Sequence, residues 1–434
     1  MKRLALILFL LSIATALAVP VLAAGEEKGK NVQQVAAAMG RVVKVGEGSI
    51  TIKIRAMMRR GKAVSEEKEI TFKVNADTRF QQGEGGGQEA KITDITLDAI
   101  KVGSLVTVNK AADSDTASLV VMARRSKKEK KEPPQPAANG RFNIPYGEHK
   151  RQVLDFYPAK SGKPTPVVFH IHGGAWVSFD KSMPADVVKF YNEQGVSVVS
   201  INYRFIKHAV RENVEPPVKA PLMDAARALQ FVRSKAEEWN IDKKRIVAGG
   251  GSSGGCSALW LAMHDDMADP DSKDPVARES TRLYCAVVRA AQTSLDPKEL
   301  LEWMPNTIYG AHALVAGATP FDRRSGGKEF AAFAEKREEL LPWIKEYSPA
   351  ALASKDDPPM TLFYPGAKKG AEPPKKGDSV HDPTHCVLHG FLLQEKFKAL
   401  GVDLRVEQWP GSVRSTIPEW QDRMNQTVVD YLNK

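Results

Sequence analysis

The sequence RIVAGGGSSG at residues 245–254 decides the fold of the larger part of this chain. Its apolar first half predicts a short buried strand, and residues 257–264 continue as a helix. Between the two, a serine with glycine two positions before and two after gives the pattern G-x-S-x-G. This pattern is typical of a nucleophilic serine on a sharp strand-to-helix turn, where glycine avoids clashes of Cβ atoms. We expect Ser252 to be the nucleophile. Ser253 is the serine that could be mistaken for it, and a turn without catalysis is the alternative.

A second motif, HGGAW at residues 172–176, follows an apolar strand predicted at 166–171. Backbone amides after such a strand form half of an oxyanion hole, the set of donors that binds the negative oxygen of a tetrahedral intermediate. We expect Gly173 and Gly174 to supply these amides and Ser253 to supply the other half. We expect His172 to brace the loop rather than to transfer protons.

Both motifs lie in a region that alternates between strands and helices. Such alternation indicates a parallel sheet covered by helices. We therefore predict one α/β domain at residues 141–434. Its strands are predicted at 166–171, 196–201, 245–248, 286–288, 360–364 and 404–406, and two of its helices at 222–235 and 390–400.

The preceding part of the chain differs in character. Residues 32–123 hold short segments of alternating polar and apolar residues between glycine-rich turns, which predicts a small closed β-barrel. We expect it to act as a spacer or an attachment module. Residues 124–140, rich in Lys, Glu and Pro, predict an extended linker.

The N-terminus has the pattern of a targeting segment. Lys2 and Arg3 precede an apolar stretch at 4–19 and a small-residue site near Ala23. This pattern predicts a secretory signal peptide over residues 1–24 and a secreted or periplasmic protein. An uncleaved anchor is the alternative. No other segment predicts a membrane span.

Composition and charge exclude several classes of protein. The chain has 434 residues, of which 42% are hydrophobic and 26% charged, and these values exclude a disordered or multi-span membrane protein. The formal net charge of +10 falls to +8 without Lys2 and Arg3. Half of that remainder, six basic residues less two acidic ones, lies at 124–132, so we predict no nucleic-acid partner. The linker is a candidate for contact with an acidic cell envelope. Three separated cysteines exclude a disulfide framework.

With these motifs, residues 141–434 resemble the α/β-hydrolase superfamily, and in particular its bacterial esterase and lipase branch with an HGG motif. The resemblance implies a doubly wound, mostly parallel sheet and a catalytic triad in the order serine, acid, histidine. It places the acid at Asp382, with Asp378 as the rival. It places the histidine after the last strand, but residues 409–415 contain none.

The missing base leaves two alternatives. The base is His381, His385 or His389, and we favour His385 because it follows the acid. Alternatively, these histidines and Cys386 hold a metal, since His385 and His389 share one face of a helix. We expect no metal and no other cofactor.

The sequence therefore predicts a secreted serine esterase that acts on short-chain esters or acylated carbohydrates through an acyl-enzyme on Ser252. A pseudo-hydrolase that lacks the base and binds a ligand is the alternative. A third possibility is that the β-barrel carries the function by binding the cell envelope. Residues 265–341 are expected to form helices over the site that set its specificity.

Overall fold

The computed structural model describes residues 36–54, 58–59, 62–63, 67–84, 91–110, 114–124, 140–322, 325–367, 372–402, 404–410 and 418–434. The chain forms two compact units, Met1–Pro133 and Pro134–Lys434, and the boundary falls within the predicted linker. The predicted signal peptide and residues 125–139 of the linker lie outside the described residues. Within the described ranges, no helix has both the length and the apolar character that a membrane span requires.

The first unit contains a seven-stranded sheet in the order β5-β2-β1-β8-β9-β6-β7 and a separate β3–β4 pair. Alternating apolar residues such as Ile50, Ile52 and Val108 form its core. Closure into a barrel stays a prediction, because β5 and β7 stand at the two ends of the strand order and no described pairing joins them. Among the described pairs, a single bridge from Lys73 to Thr116 connects β5 to the residue before β9. The strands are β1 Ala36–Gly46, β2 Ser49–Ile54, β3 Met58–Arg59, β4 Lys62–Ala63, β5 Lys68–Lys73, β6 Arg79–Glu84, β7 Lys91–Asp94, β8 Leu105–Lys110 and β9 Ala117–Arg124, with a 3₁₀ turn at Leu97–Ala99.

The second unit is built on an eight-stranded sheet in the order β10-β11-β13-β12-β14-β15-β16-β17. The six strands from β13 to β17 run parallel, and β10 and β11 pair antiparallel at one edge. This mixed sheet agrees with the predicted α/β class. Its strands are β10 Arg141–Pro145, β11 Val153–Tyr157, β12 Thr165–Ile171, β13 Ser197–Ile201, β14 Ile241–Gly251, β15 Cys285–Arg289, β16 Met360–Ala367 and β17 Arg405–Pro410.

Helices cover both faces of this sheet, because side chains of a strand point alternately to opposite faces. In β12, Phe169 packs in the core with α3, α5 and α11, whereas Val168 packs in the core with α1 and α12. The helices are α1 Ala185–Glu193, α2 Ile206–Arg211, α3 Lys219–Ser234, α4 Ala236–Trp239, α5 Ser253–Met263, α6 Pro297–Trp303, α7 Ala311–Leu314, α8 Lys328–Glu335, α9 Arg337–Tyr347, α10 Pro349–Leu352, α11 Leu388–Ala399 and α12 Pro418–Leu432.

Two elements at the elbow differ from the sequence prediction. The strand predicted at 245–248 is longer, because β12 and β15 pair with β14 on either side and hold its polar residues in place. The helix predicted at 257–264 begins earlier, at Ser253. Glycine and serine are poor helix formers, so tertiary packing rather than local propensity extends this helix.

The region expected to form helices over the site is only partly helical. Helices begin at Pro297, whereas residues 264–284 form no helix or strand. That segment is held by side chains: Gln230 Nε2 donates to the carbonyls of Met267, Ala277 and Glu279, and Asp266 accepts from the Thr281 amide.

Candidate active site

Ser252 stands alone between β14 and α5, with φ of 54° and ψ of −128°. This backbone conformation is rare for a residue with a side chain, and it is the strained turn expected of a nucleophile elbow. The flanking positions have room only for glycine, because a Cβ atom there would clash with the backbone. A Cβ atom on Gly250 would lie 2.5 Å from the Ile171 carbonyl oxygen, and one on Gly254 would lie closer still. The turn therefore packs directly against the end of β12.

Three of the predicted site residues form one hydrogen-bonded series. Ser252 Oγ lies 3.0 Å from His385 Nε2, and His385 Nδ1 lies 2.9 Å from Asp382 Oδ2. His385 ends a 3₁₀ turn, Pro383–His385, between β16 and α11. The acid and the base thus come from the same loop, three residues apart. A base in contact with a serine, and itself oriented by a carboxylate, is the arrangement that activates a hydroxyl nucleophile.

Electrostatics favour an ionised acid in this series. Partial burial raises the pKa of the Asp382 carboxyl, but hydrogen bonds from His385 and from backbone amides lower it further, so that its pKa lies below the usual range. The carboxylate accepts the Nδ1 proton of His385, which leaves Nε2 free to accept the hydroxyl proton of Ser252. We infer this tautomer from the hydrogen bonds.

The other candidates of the acid loop serve different purposes. Asp378 Oδ2 accepts a hydrogen bond from the Lys375 amide at 2.8 Å and so stabilises a turn. His381 is exposed. His389 is buried and donates from Nε2 to the Pro383 carbonyl at 3.1 Å. Burial lowers the pKa of His389 to about 4, so this ring is neutral near pH 7.

Two buried residues that the sequence analysis missed hold the turn that carries His385 and the start of the helix that follows it. Gln292 Nε2 donates to the Thr384 carbonyl at 2.6 Å, and Thr293 Oγ1 donates to the His389 carbonyl at 2.7 Å. Gln292 and Thr293 follow β15 closely. Their place just beyond the carboxyl end of a parallel strand is the signal that could have indicated them, because binding and catalytic groups gather at that edge.

The HGG loop lies against Ser252. A Cβ atom on Gly173 would lie 2.5 Å from the Gly251 carbonyl oxygen and 3.4 Å from Ser252 Cβ. Gly174 has φ of +95°, which favours glycine. Within the described part of the chain, no group accepts a hydrogen bond from the amides of Gly173, Gly174 or Ser253. Three backbone amides beside Ser252 are therefore free to donate a hydrogen bond to a ligand.

The Ser253 side chain has a structural role. It is fully buried, and its Oγ accepts a hydrogen bond from the Trp176 amide at 3.3 Å. The pattern G-x-S-x-G also fits Ser253, since Gly251 and Gly255 flank it. The pattern alone therefore does not separate the two serines, whereas their contacts do.

His172 braces the loop from behind. Its Nδ1 donates to the Gly173 carbonyl at 2.8 Å, and its ring stacks on Tyr203 with 4.2 Å between centroids. Arg151 lies 3.3 Å from its Nε2 atom. Burial, with a smaller contribution from Arg151, lowers the pKa of His172 to about 4. The ring is therefore neutral and serves to hold the carbonyl side of the loop.

The far end of the loop is held by residues that the sequence analysis did not single out. Ala175 and Trp176 both have positive φ, 53° and 54°. His312 of α7 donates from Nε2 to the Ala175 carbonyl at 3.0 Å, and Trp176 Nε1 donates to Ser257 Oγ at 3.0 Å. Part of the 265–341 region thus contacts the oxyanion loop directly.

The alternative prediction for the histidine-rich loop is a metal site, with His381, His385, Cys386 and His389 as ligands. Across the described ranges, no three His, Cys, Asp or Glu side chains converge in a way that would hold a metal ion. The three cysteines are free thiols, and Cys256 and Cys285 are buried.

Comparison with known proteins identifies the family. The BD-FAE family model matches residues 154–376, which is just over half of the chain. The chain belongs to the BD-FAE family. This is an α/β-hydrolase family, as the HGG and elbow motifs predict. The match includes the HGG loop and Ser252, and it ends before Asp382 and His385.

Individual relatives cover smaller parts. A probable isoprenylcysteine alpha-carbonyl methylesterase of Arabidopsis thaliana is 28% identical over 145 residues, 33% of this chain and 29% of its own length. The probable carboxylic ester hydrolase LipM of Mycobacterium tuberculosis is 33% identical over 150 residues, 33% of each chain. This chain thus spans about a third or less of these curated relatives. A truncated carbohydrate esterase from gut microbiota has a similar fold, with a TM-score of 0.50 and 19% identity over 70% of this chain and 99% of its own.

Proposed function

We propose that this BD-FAE family member is a serine esterase that hydrolyses carboxylic esters through an acyl-enzyme on Ser252. The hydrogen-bonded series Ser252–His385–Asp382 carries the proposal, since its two contacts measure 3.0 and 2.9 Å. The pseudo-hydrolase alternative depends on the absence of a base, and the contact between His385 and Ser252 speaks for the esterase.

The first half of the reaction forms the acyl-enzyme. Ser252 Oγ attacks the ester carbonyl carbon while its proton passes to His385 Nε2, and Asp382 stabilises the resulting imidazolium. The amides of Gly173, Gly174 and Ser253 donate to the oxygen that becomes negative. The carbon–oxygen bond to the alcohol then breaks, and the alcohol leaves with the proton from His385.

The second half regenerates the enzyme. A water molecule gives a proton to His385 Nε2 and attacks the acyl carbon, and the same amides bind the second oxyanion. Collapse of this intermediate returns the proton to Ser252 Oγ and releases the carboxylic acid. No electron transfer or further reactant is needed.

Substrate and location are further parts of the proposal. Relatives named as esterases and carboxylic ester hydrolases support ester substrates. Short-chain esters and acylated carbohydrates are the classes we propose, and the latter is in keeping with the similar fold of a carbohydrate esterase. The targeting pattern of the first 24 residues supports a secreted or periplasmic enzyme.

Covalent labelling with a fluorophosphonate probe tests the nucleophile. We expect the wild-type protein and Ser253→Ala to be labelled, and Ser252→Ala to remain unlabelled. Ser253→Ala is the matched control, because it removes the neighbouring hydroxyl, which is buried. Absence of labelling in folded wild-type protein would refute the triad and leave a binding pocket.

A further inference from the structure

Arg289, the last residue of β15, lies directly beside the nucleophile elbow. It pairs with Gly251 in the sheet, and its carbonyl accepts a hydrogen bond from the Ser252 amide at 2.9 Å. A Cβ atom on Gly251 would lie 3.3 Å from Arg289 Nε. The Nε atom is therefore within roughly 9 Å of Ser252 Cα, given the fixed spacing of consecutive Cα atoms.

The side chain of Arg289 lies over a part of β14 that consists of glycines and therefore carries no side chains. Val247 and Val287 belong to the core on the α1 and α12 side, so by strand alternation Gly249, Gly251 and Arg289 face the same side. The Arg289 guanidinium lies 5.0 Å from the ring centroid of Trp420, in the first turn of α12. Arg289 thus occupies a glycine-lined recess next to the N-terminal turn of a helix.

Among the residues that the structure describes, the charge of Arg289 has no acidic partner. No described residue forms an ion pair or a hydrogen bond with its guanidinium. In the second unit, the positions outside the described ranges contain one acidic residue, Asp403. Its described neighbours Val402 and Leu404 precede β17 at the amino edge of the sheet, whereas Arg289 ends β15 at the carboxyl edge.

A guanidinium in this position, with no ion pair or hydrogen bond to any described residue, is able to bind an anionic ligand. Arginine keeps its charge in proteins, and a half-buried charge without a partner is unfavourable. The Nε1 atom of Trp420 is also buried and has no partner among the described residues. His170 lies on the same face of β12, close enough for the charge of Arg289 to contribute to lowering its pKa, which burial lowers first. The described residues of the recess therefore present hydrogen-bond donors and no negative charge.

We propose that Arg289 binds a carboxylate on the acyl part of the substrate, so that the enzyme prefers half-esters of dicarboxylic acids. The inference rests on the proposed esterase function and names its substrate class. A carboxylate on the acyl group remains bound through both halves of the reaction, because that group stays attached to Ser252. Arginine suits this role, since its planar fork matches the two carboxylate oxygens.

The test compares two ethyl esters of equal chain length, monoethyl glutarate and ethyl valerate, by titration of the released acid. The measured quantity is the ratio of their kcat/KM values in the wild type, Arg289→Gln, Arg289→Lys and Arg141→Gln. Arg141 is the matched control, because it pairs with Glu238 on an exposed surface. We expect the ratio to fall roughly tenfold or more in Arg289→Gln, less in Arg289→Lys, and to stay unchanged in Arg141→Gln.

The outcomes separate the two proposals. An unchanged ratio in Arg289→Gln, with labelling and hydrolysis intact, overturns the carboxylate site and leaves the esterase. Absence of both labelling and hydrolysis in the wild type overturns both. Because Arg289→Gln breaks no ion pair with a described residue, its melting temperature should stay close to that of the wild type, and a large decrease would assign Arg289 a structural role instead.

Discussion

Removing the hydrogen bond from Gln292 should slow catalysis more than it destabilises the fold. In Gln292→Leu, the Thr384 carbonyl loses its donor, which lies at 2.6 Å in a fully buried setting. Leaving one buried acceptor without a partner costs about 1 to 3 kcal/mol. We expect this cost to fall on the Pro383–His385 turn, because Gln292 connects that turn to the end of β15.

The rate of fluorophosphonate labelling measures the consequence. A penalty of about 1.4 kcal/mol on the aligned position of His385 corresponds to a tenfold lower rate. Gln394→Leu is the matched control, since Gln394 Nε2 also donates to a backbone carbonyl, that of Leu404 at 2.9 Å, away from the turn. We expect the control to label at the wild-type rate.

The same comparison would refute the reasoning if the two variants behaved alike. Equal labelling rates in Gln292→Leu and the wild type would show that the turn holds His385 without this bond. A labelling rate that simply follows the melting temperature in both variants would assign Gln292 a general structural role. A shift of the pH profile of labelling in Gln292→Leu alone would support positioning of the base.

Three further predictions concern the base, the oxyanion loop and acid stability. His385→Ala should lower the labelling rate by roughly three orders of magnitude, whereas His381→Ala should leave it unchanged, and the reverse result would mean that the wrong histidine has been assigned. Gly173→Ala, whose Cβ would lie 2.5 Å from the Gly251 carbonyl, should displace the loop and lower kcat roughly a hundredfold, while Gly162→Ala, in open space, should have wild-type activity; a fully active Gly173→Ala would show that the site does not need glycine at this position. The native pKa of His389 is about 4, below its ordinary 6.5, so the unfolded chain binds the proton more readily and stability falls as pH drops from about 6.5 to 4. Urea midpoints at several pH values should show this fall in the wild type and a smaller one in His389→Gln, and parallel curves would contradict it.

Much of the site follows from short stretches of sequence. A strand, a glycine-flanked serine and a helix are contiguous, so residues 245–254 determine the sharp turn locally. The HGG motif at the end of an earlier strand determines its loop in the same way. Space explains the glycines, because a Cβ atom at Gly250 or Gly254 would overlap the Ile171 carbonyl. Such constraints act between neighbours and are visible in a pattern.

The base could not be chosen in this way. His381, His385 and His389 lie within nine residues of one loop, and no local pattern distinguishes them. The choice depends on contacts across 133 residues, where the loop brings His385 to Ser252 while buried bonds from Gln292 hold its turn.

By itself, the sequence determined the fold class, the strand-to-helix turn at Ser252 and the HGG loop of this protein, because each depends on periodicity or on the steric needs of adjacent residues. Only the tertiary structure decided which serine contacts a histidine, which histidine that is, and that Arg289, without an ion pair among the described residues, adjoins Gly251. These features depend on sheet register and on the packing of distant loops, in which residues far apart in the chain become neighbours.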